Sequence, residues 1–204
     1  MEEESGVSPP TPTPPAEKKE TNTAAAAGET PAISLRSFEL ADVDDYMVWA
    51  SDERVARFCS WSAYTSKEEL LKYMRETVLP HPWFRAICLD GRPVGAVSVA
   101  LNAPGSGDRC RGEIGYVLAA AHWGRGIAAE AVRAAAAAVF REVPELERLE
   151  ALVDVENRAS QRVLEKVGFL REGVLRKYFS LKGTTRDVVV YSHLSTDHPL
   201  LSAK

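Results

Sequence analysis

The stretch Glu113-Ile-Gly-Tyr-Val-Leu-Ala-Ala-Ala-His-Trp-Gly-Arg-Gly-Ile-Ala-Ala-Glu130 decides how this chain folds. Residues 113–118 predict a strand, and an alanine-rich helix is predicted over 126–141. The first amides of a helix lack intrahelical partners and form a positive end that favours an anion. Gly124 and Gly126 let the backbone approach a ligand closely. The stretch therefore predicts a pyrophosphate cradle, with a plain glycine turn as the alternative.

Two common phosphate loops serve as comparisons for this glycine loop. The chain has no GxxxxGK[ST] string, which excludes a Walker loop. A GxGxxA variant of the dinucleotide-binding fingerprint is formally present from Gly124 to Ala129. The long loop before Gly124 does not suit the tight first turn of that fingerprint. A Rossmann-like dinucleotide protein is therefore only a third choice.

Strands and helices alternate on both sides of the cradle. Ser66-Lys-Glu-Glu69 is a capping box that opens a helix, and Asp42 is expected to cap an earlier one. The order βααβββαβαββ predicts an α+β, or mixed α/β, domain with a largely antiparallel sheet and a central βαβ unit. The predicted strands cover 33–38, 83–89, 94–101, 113–118, 149–155, 174–180 and 186–194.

The chain is expected to form a single domain over residues 31–198, followed by a short C-terminal end at 199–204. Residues 1–30 are rich in proline and acid and nearly lack large apolar side chains, which predicts a disordered tail. Residues 31–204 carry 23 basic and 23 acidic residues, so the net charge of −4 comes from the tail. A neutral body gives no support to general nucleic-acid binding.

Composition also indicates the cellular compartment in which the protein is expected. No apolar run approaches the ~18–20 residues of a membrane helix, so no membrane span is expected. The three cysteines form neither a CxxC pair nor a Cys/His metal spacing, which favours a reducing compartment without a metal site. The expected location is the cytoplasm, with the nucleus as a second compartment, and the expected state is a monomer or homodimer.

A second motif follows the strand at 149–155. It consists of Asn157 and Ser160, then Leu164-Glu-Lys-Val-Gly-Phe169, with Gly168 as a left-handed helix end. This NxxS…LEKxGF pattern, together with Trp123-Gly-Arg-Gly-Ile-Ala128, resembles the GNAT superfamily of acyl-CoA N-acyltransferases. The resemblance is to the RimJ/RimL-type branch, especially its small plant members. It covers roughly residues 33–194.

The resemblance implies a GNAT-like fold in which the strands at 113–118 and 149–155 begin adjacent and then splay. The pantetheine arm of acetyl-CoA, the implied co-substrate, would fill that gap and pair with the backbone of Val117 and Leu118. Asn157 and Ser160 would line its far side, although a helix cap and an ordinary first-turn serine are the alternatives. The pyrophosphate would sit on the amides of Gly124, Arg125, Gly126, Ile127 and Ala128.

Two residues depart from the family pattern. Trp123 stands where Gln or Arg is usual. Because the cradle uses backbone amides and not this side chain, the cradle is still expected. Leu164 stands where many members carry a tyrosine assigned as the acid that protonates the leaving thiolate. Ser160, water or no group at all would fill that role here. Arg125, Arg162 and Lys166 are either phosphate contacts or solvated helix charges.

Transfer to an amine benefits from a base and from an oxyanion donor. Glu113 is the candidate base, because Gly115 leaves space beside it on the same strand face. A strand-edge salt bridge is the alternative for Glu113. The backbone amide of Val117 is the expected oxyanion donor. Weaker candidate bases are Asp154, Glu156 and His122.

The acceptor is expected to enter over residues 42–65 and the hairpin at 174–190. An aromatic and acidic mouth would suit an arylalkylamine, a polyamine or a protein N-terminus. A non-catalytic acyl-CoA-binding module on the same fold is the alternative function. Side chains that could line this mouth are Trp49, Phe58, Trp61, Tyr64, Tyr178 and Phe179, with Asp44, Asp45, Asp52 and Glu53 as its acids.

Overall fold

The computed structural model describes residues 33–197, so the predicted tail and the C-terminal end lie outside the described residues. Within these residues, seven strands and five α-helices follow one another. They are β1 (Ile33–Arg36), α1 (Val43–Ala50), α2 (Glu53–Ala56), α3 (Lys67–Tyr73), β2 (Phe84–Leu89), β3 (Arg92–Leu101), β4 (Arg111–Leu118), α4 (Ile127–Glu142), β5 (Arg148–Asp154), α5 (Arg158–Val167), β6 (Leu170–Leu181) and β7 (Thr184–Leu194).

The strands form one mixed sheet in the order β1-β2-β3-β4-β5-β7-β6. Every neighbouring pair is antiparallel except β4 and β5, which run parallel. A parallel pair needs a long crossover, and α4 supplies it. The predicted α+β class, with its central βαβ unit, is confirmed.

The parallel pair opens into a gap after only three residues of β4. Arg111, Gly112 and Glu113 lie opposite Arg148, Leu149 and Glu150, and the pairing ends there. The rest of β4 and β5 diverges, so the edge of β4 from Ile114 to Leu118 faces no strand within the described residues. The expected splay between the fourth and fifth strands is confirmed.

Helices cover both faces of the sheet. On one face, α4 and α5 pack onto a core that includes Ile114 and Leu118 of β4. On the other face, α1 and α3 pack with the β2–β3 hairpin, and Val117 lies against that cluster. The alternation of β4 therefore turns its even-numbered side chains towards α4 and α5 and its odd-numbered ones towards the opposite face.

Local structure differs from the sequence-based expectation at the first helix. Asp42 does not cap α1 through its side chain. Its carboxylate instead accepts two bonds from Arg36, at 2.7 and 2.8 Å, and one from the amide of Glu39 at 2.8 Å. The guanidinium of Arg36 lowers the pKa of Asp42. The short helix α2 was not predicted, while Ser66 caps α3 as expected.

Candidate active site

The loop before α4 takes a left-handed conformation at both of its glycines. Gly124 has φ 74° and Gly126, the residue before the helix, has φ 80°. L-residues with a side chain rarely adopt these angles, which explains the two glycines. A Cβ atom added at either position would meet no heavy atom within 4 Å. The loop is therefore open on its outer side.

A run of backbone amides in this loop has no acceptor within residues 33–197. The amide of Glu130 bonds to the carbonyl of Gly126 at 3.1 Å, and no backbone or side-chain acceptor pairs with the amides of residues 124–129. These amides lie at the positive end of the 16-residue helix α4. Their arrangement suits an anionic group such as a pyrophosphate.

Trp123 ties the loop to the end of β4. Its indole Nε1 donates to the carbonyl of Leu118 at 2.8 Å, while the residue is 49% exposed. The carbonyl of Leu118 is therefore already occupied at the edge of the gap. Arg125 lies on the exposed side of the loop, with its guanidinium 3.2 Å from Nδ1 of His122.

The register of β3 and β4 decides which amides of β4 face the gap. The amide of Ala119 donates to the carbonyl of Val94 at 2.8 Å, and Val117 lies opposite Ala96 two residues back. Hydrogen-bonded and non-hydrogen-bonded residue pairs alternate along an antiparallel ladder. Because Ala119 belongs to a hydrogen-bonded pair, Val117 does too, and its amide points to Ala96. The expectation that this amide is the oxyanion donor is wrong. The amides of Tyr116 and Leu118 face the gap instead.

The start of α5 closes the other side of the gap. Asn157 caps this helix, because its Oδ1 accepts from the amide of Ser160 at 3.1 Å. The hydroxyl of Ser160 lies 2.6 Å from the phenol oxygen of Tyr116. Leu164 is fully buried and packs in the core. Tyr116 was missed by the sequence analysis, because its contact with Ser160 spans 44 residues.

Glu113 lies where the pairing of β4 and β5 ends. It is exposed, not buried as a base in a closed site would be, and it forms no ion pair within the described residues. Although the residue as a whole is exposed, neighbouring protein atoms partly desolvate its carboxyl, and this desolvation and the nearby charge of Glu150 raise its pKa. On the same face, a Cβ added at Gly115 would lie 3.9 Å from Ser98 Oγ, its nearest neighbour. The carboxyl thus has open space beside it towards the gap.

The weaker candidate bases are engaged by other groups. Arg186 forms ion pairs with Asp154 and with Glu156, each at 3.2 Å. The pair with Asp154 lacks hydrogen-bond alignment, but it still offsets the carboxylate charge. Desolvation and the charge of Arg125 lower the pKa of His122. Glu113 remains the least restrained of the three candidate carboxylates.

The proposed acidic mouth is largely neutralised. Three of its four acids form ion pairs, with Asp44 on Lys67, Asp45 on Arg92 and Asp52 on Arg54. Trp49 is fully buried and belongs to the core. Of the other aromatic residues, Tyr178 is 52% exposed, and Phe58, Trp61, Tyr64 and Phe179 are partly buried. The mouth is therefore aromatic with little free negative charge.

Comparison with known proteins identifies the family. The family model described as "Acetyltransferase (GNAT) domain" matches residues 33–170. The N-acetyltransferase YoaA of Bacillus subtilis (strain 168), named as uncharacterized, is 30% identical over 168 residues, which cover 80% of this chain and 94% of YoaA. The chain belongs to the GNAT acetyltransferases, and it is an N-acetyltransferase.

Solved structures support the same fold. RimJ of Mycobacterium smegmatis, in complex with CoA-disulfide, aligns with a TM-score of 0.68 and 24% identity over 83% of this chain and 85% of RimJ. A spermidine N-acetyltransferase from Vibrio cholerae, in complex with CoA and spermine, aligns with a TM-score of 0.68 and 20% identity. That match covers 80% of this chain and 96% of the Vibrio protein. At these identities the likeness concerns the fold alone.

Proposed function

We propose that this N-acetyltransferase moves the acetyl group of acetyl-CoA to a primary amine by direct attack in a ternary complex. The observation that carries the proposal is the run of amides at residues 124–129 that have no acceptor in the described part of the chain, placed beside the gap between β4 and β5. An anion site next to an unpaired strand edge suits a ligand with a pyrophosphate and an amide-bearing arm.

The proposed contacts of acetyl-CoA use the amides and side-chain groups of the site that are available to form hydrogen bonds. The pyrophosphate sits on the amides of Gly124, Arg125, Gly126, Ile127 and Ala128. The pantetheine arm lies along β4 and bonds to the amide of Leu118, whose carbonyl is held by Trp123. The Val117 side chain contributes through packing. Oδ1 of Asn157 is occupied by its own helix, so Asn157 offers its Nδ2 hydrogens to the arm.

The proposed chemistry uses three groups around the thioester. Glu113 takes the proton of the attacking amine, directly or through water. The gap-facing amide of Tyr116 stabilises the oxyanion in place of Val117, since the amide of Leu118 is bonded to the arm. Ser160 donates a hydrogen bond to the departing sulfur. A thiol has a pKa near 8.5, so the sulfur needs only a weak donor at neutral pH.

The proposed acceptor is a small amine, such as an arylalkylamine or a polyamine, or the α-amine of a protein N-terminus. The aromatic mouth supports an acceptor with an apolar part. Because three of the acids are paired, the mouth offers little charge for several ammonium groups at once. We further propose that the enzyme works in the cytoplasm, since its three cysteines are free.

An amine panel tests this function. Acetyl-CoA is incubated with the full chain and with arylalkylamines, polyamines and short peptides, and thiol release is measured. Acceptor-dependent release supports the proposal, and binding of acetyl-CoA without release with any amine supports a non-catalytic acyl-CoA-binding module. Thermal shift with acetyl-CoA and with NAD distinguishes both from a dinucleotide protein.

A pair of variants separates the two roles of Asn157. Asn157→Asp keeps an oxygen for the amide of Ser160 but removes the Nδ2 donors. We expect Asn157→Asp to weaken acetyl-CoA binding about tenfold with little change in melting temperature. Asn157→Ala should weaken binding and also cost about 1 kcal/mol of stability. Calorimetry and thermal unfolding measure both effects, and unchanged affinity in Asn157→Asp would leave Asn157 as a cap only.

A further inference from the structure

Two hydroxyl groups form a hydrogen-bonded bridge across the gap. The phenol oxygen of Tyr116 lies 2.6 Å from Oγ of Ser160 and 3.0 Å from the carbonyl oxygen of Ser160. Tyr116 belongs to the part of β4 beyond its last pair with β5, which is Glu113 with Glu150. Ser160 lies in the first turn of α5, where Asn157 holds its amide. Both ends of the bridge are thus fixed.

The bridge has two arrangements that differ in one proton. When Tyr116 donates to the carbonyl of Ser160, the Ser160 hydroxyl can donate back to the phenol oxygen and is not free. When Tyr116 donates to Oγ of Ser160, the Ser160 hydrogen must point elsewhere. Both acceptors are within hydrogen-bond distance of the same phenol, so a small rotation of the O–H interchanges the two arrangements.

We infer that Tyr116 is a positioning residue for thioester cleavage, because its phenol donates to Ser160 Oγ and turns the Ser160 hydrogen towards the departing sulfur. This inference rests on the acetyl-CoA site proposed above. As the amine nitrogen bonds to the carbonyl carbon and the C–S bond breaks, the electron pair stays on sulfur. The sulfur then accepts a hydrogen bond from Ser160, which in turn accepts one from Tyr116.

Neither hydroxyl ionises in this step. Burial raises the pKa of the Tyr116 phenol far above neutral pH, so the phenol keeps its proton and has it available to donate to Oγ of Ser160. The proton that the amine loses balances the proton that the free thiol finally carries, through Glu113 and water. Hydrogen bonds in a chain polarise one another, so a second donor on Ser160 strengthens the bond from Ser160 to the thiolate.

The acidity of the thiol in bound CoA tests the inference without an acceptor. Ultraviolet absorbance of the thiolate is titrated against pH for CoA bound to the full chain and to Tyr116→Phe, Ser160→Ala and the double variant. The control is Tyr191→Phe, since the Tyr191 phenol also bonds to α5, but to Glu165 at 2.9 Å and not to Ser160. The kcat and KM of each variant are measured with the best amine of the panel.

We expect the thiolate fraction below the thiol pKa to fall about tenfold in Ser160→Ala and about threefold in Tyr116→Phe. The double variant should match Ser160→Ala, because Tyr116 acts through Ser160. Tyr191→Phe should leave the thiol unchanged. With an active acceptor, Tyr116→Phe should lower kcat with little change in KM for acetyl-CoA.

A thiol titration that is the same in wild type and Tyr116→Phe would overturn the inference, and so would an additive loss in the double variant. A loss of melting temperature without a change in the thiol would show that the bridge is structural only, which also overturns it. If the expected thiol shifts occur but no amine is acetylated, the hydrogen bonds from Tyr116 to Ser160 and from Ser160 to the sulfur stand, and the proposed transfer to an amine fails. If wild type and Tyr116→Phe acetylate amines equally well, the proposed function stands and the inference fails.

Discussion

Replacing Glu113 with Gln is expected to lower kcat by at least about a hundredfold, the lower bound for loss of a general base. Gln keeps the shape of the side chain but takes no proton from the amine. Glu113 lies outside the run of amides at 124–129, so affinity for acetyl-CoA should stay within a few-fold. Steady-state kinetics and calorimetry with acetyl-CoA measure the two effects.

The pH profile of Glu113→Gln gives a second readout. A base must be deprotonated to act, so kcat/KM falls as the pH drops through the pKa of Glu113. Because desolvation and Glu150 raise that pKa, the fall should occur above the ordinary carboxylate range, which lies near 4.3. The amine substrate also loses reactivity on protonation. At low pH, a plot of log(kcat/KM) against pH should therefore approach a slope of 2 for the wild type and a slope of 1 for Glu113→Gln.

Glu150→Gln is the matched control for this carboxylate. Glu150 lies opposite Glu113 and is bound by Arg111 and Arg148. Its negative charge raises the pKa of Glu113, so its removal should move the acid limb to lower pH. The positive charge of Arg111 lowers the pKa of Glu113, so once Glu150 is neutral it moves the acid limb in this direction too. A Glu113→Gln enzyme with nearly full kcat and the wild-type profile would leave water as the base.

Local chemistry was enough to predict the glycine loop that opens α4. Gly124 and Gly126 occupy left-handed angles that favour glycine, and the helix that follows exposes its first amides whatever the rest of the fold does. The order of strands and helices was also enough to predict the mixed sheet, because a strand, a long helix and a second strand favour parallel pairing. These features depend on short stretches of sequence.

Contacts between distant residues could not be predicted from the sequence. The amide of Val117 points to Ala96 because of the register between β3 and β4, and a shift of one residue would reverse its direction. In the sequence, Asp44 and Asp45 have no visible partners. In the fold, they form ion pairs with Lys67 and Arg92. The glycines of the loop before α4 were visible in the sequence, whereas the partners of the side chains around the gap depended on tertiary packing.

Replacing Gly126 with Val is expected to weaken acetyl-CoA binding by about a hundredfold, the equivalent of two charge-assisted hydrogen bonds. The added side chain would project into the open space in front of the unbonded amides, where the pyrophosphate is proposed to lie. Calorimetry with acetyl-CoA measures the affinity. Stability should also fall, because a β-branched residue at φ 80° is strained by about 1–3 kcal/mol.

Gly105→Val separates strain from crowding. Gly105 has the same φ of 80° and the same open space around a Cβ, but it lies in the loop between β3 and β4. Both variants should lose similar stability in thermal unfolding, since they share the backbone penalty. Only Gly126→Val should lose affinity, because only its side chain stands before the amides of α4. Wild-type affinity in both variants would place the pyrophosphate elsewhere, and an equal loss in both would assign the effect to stability alone.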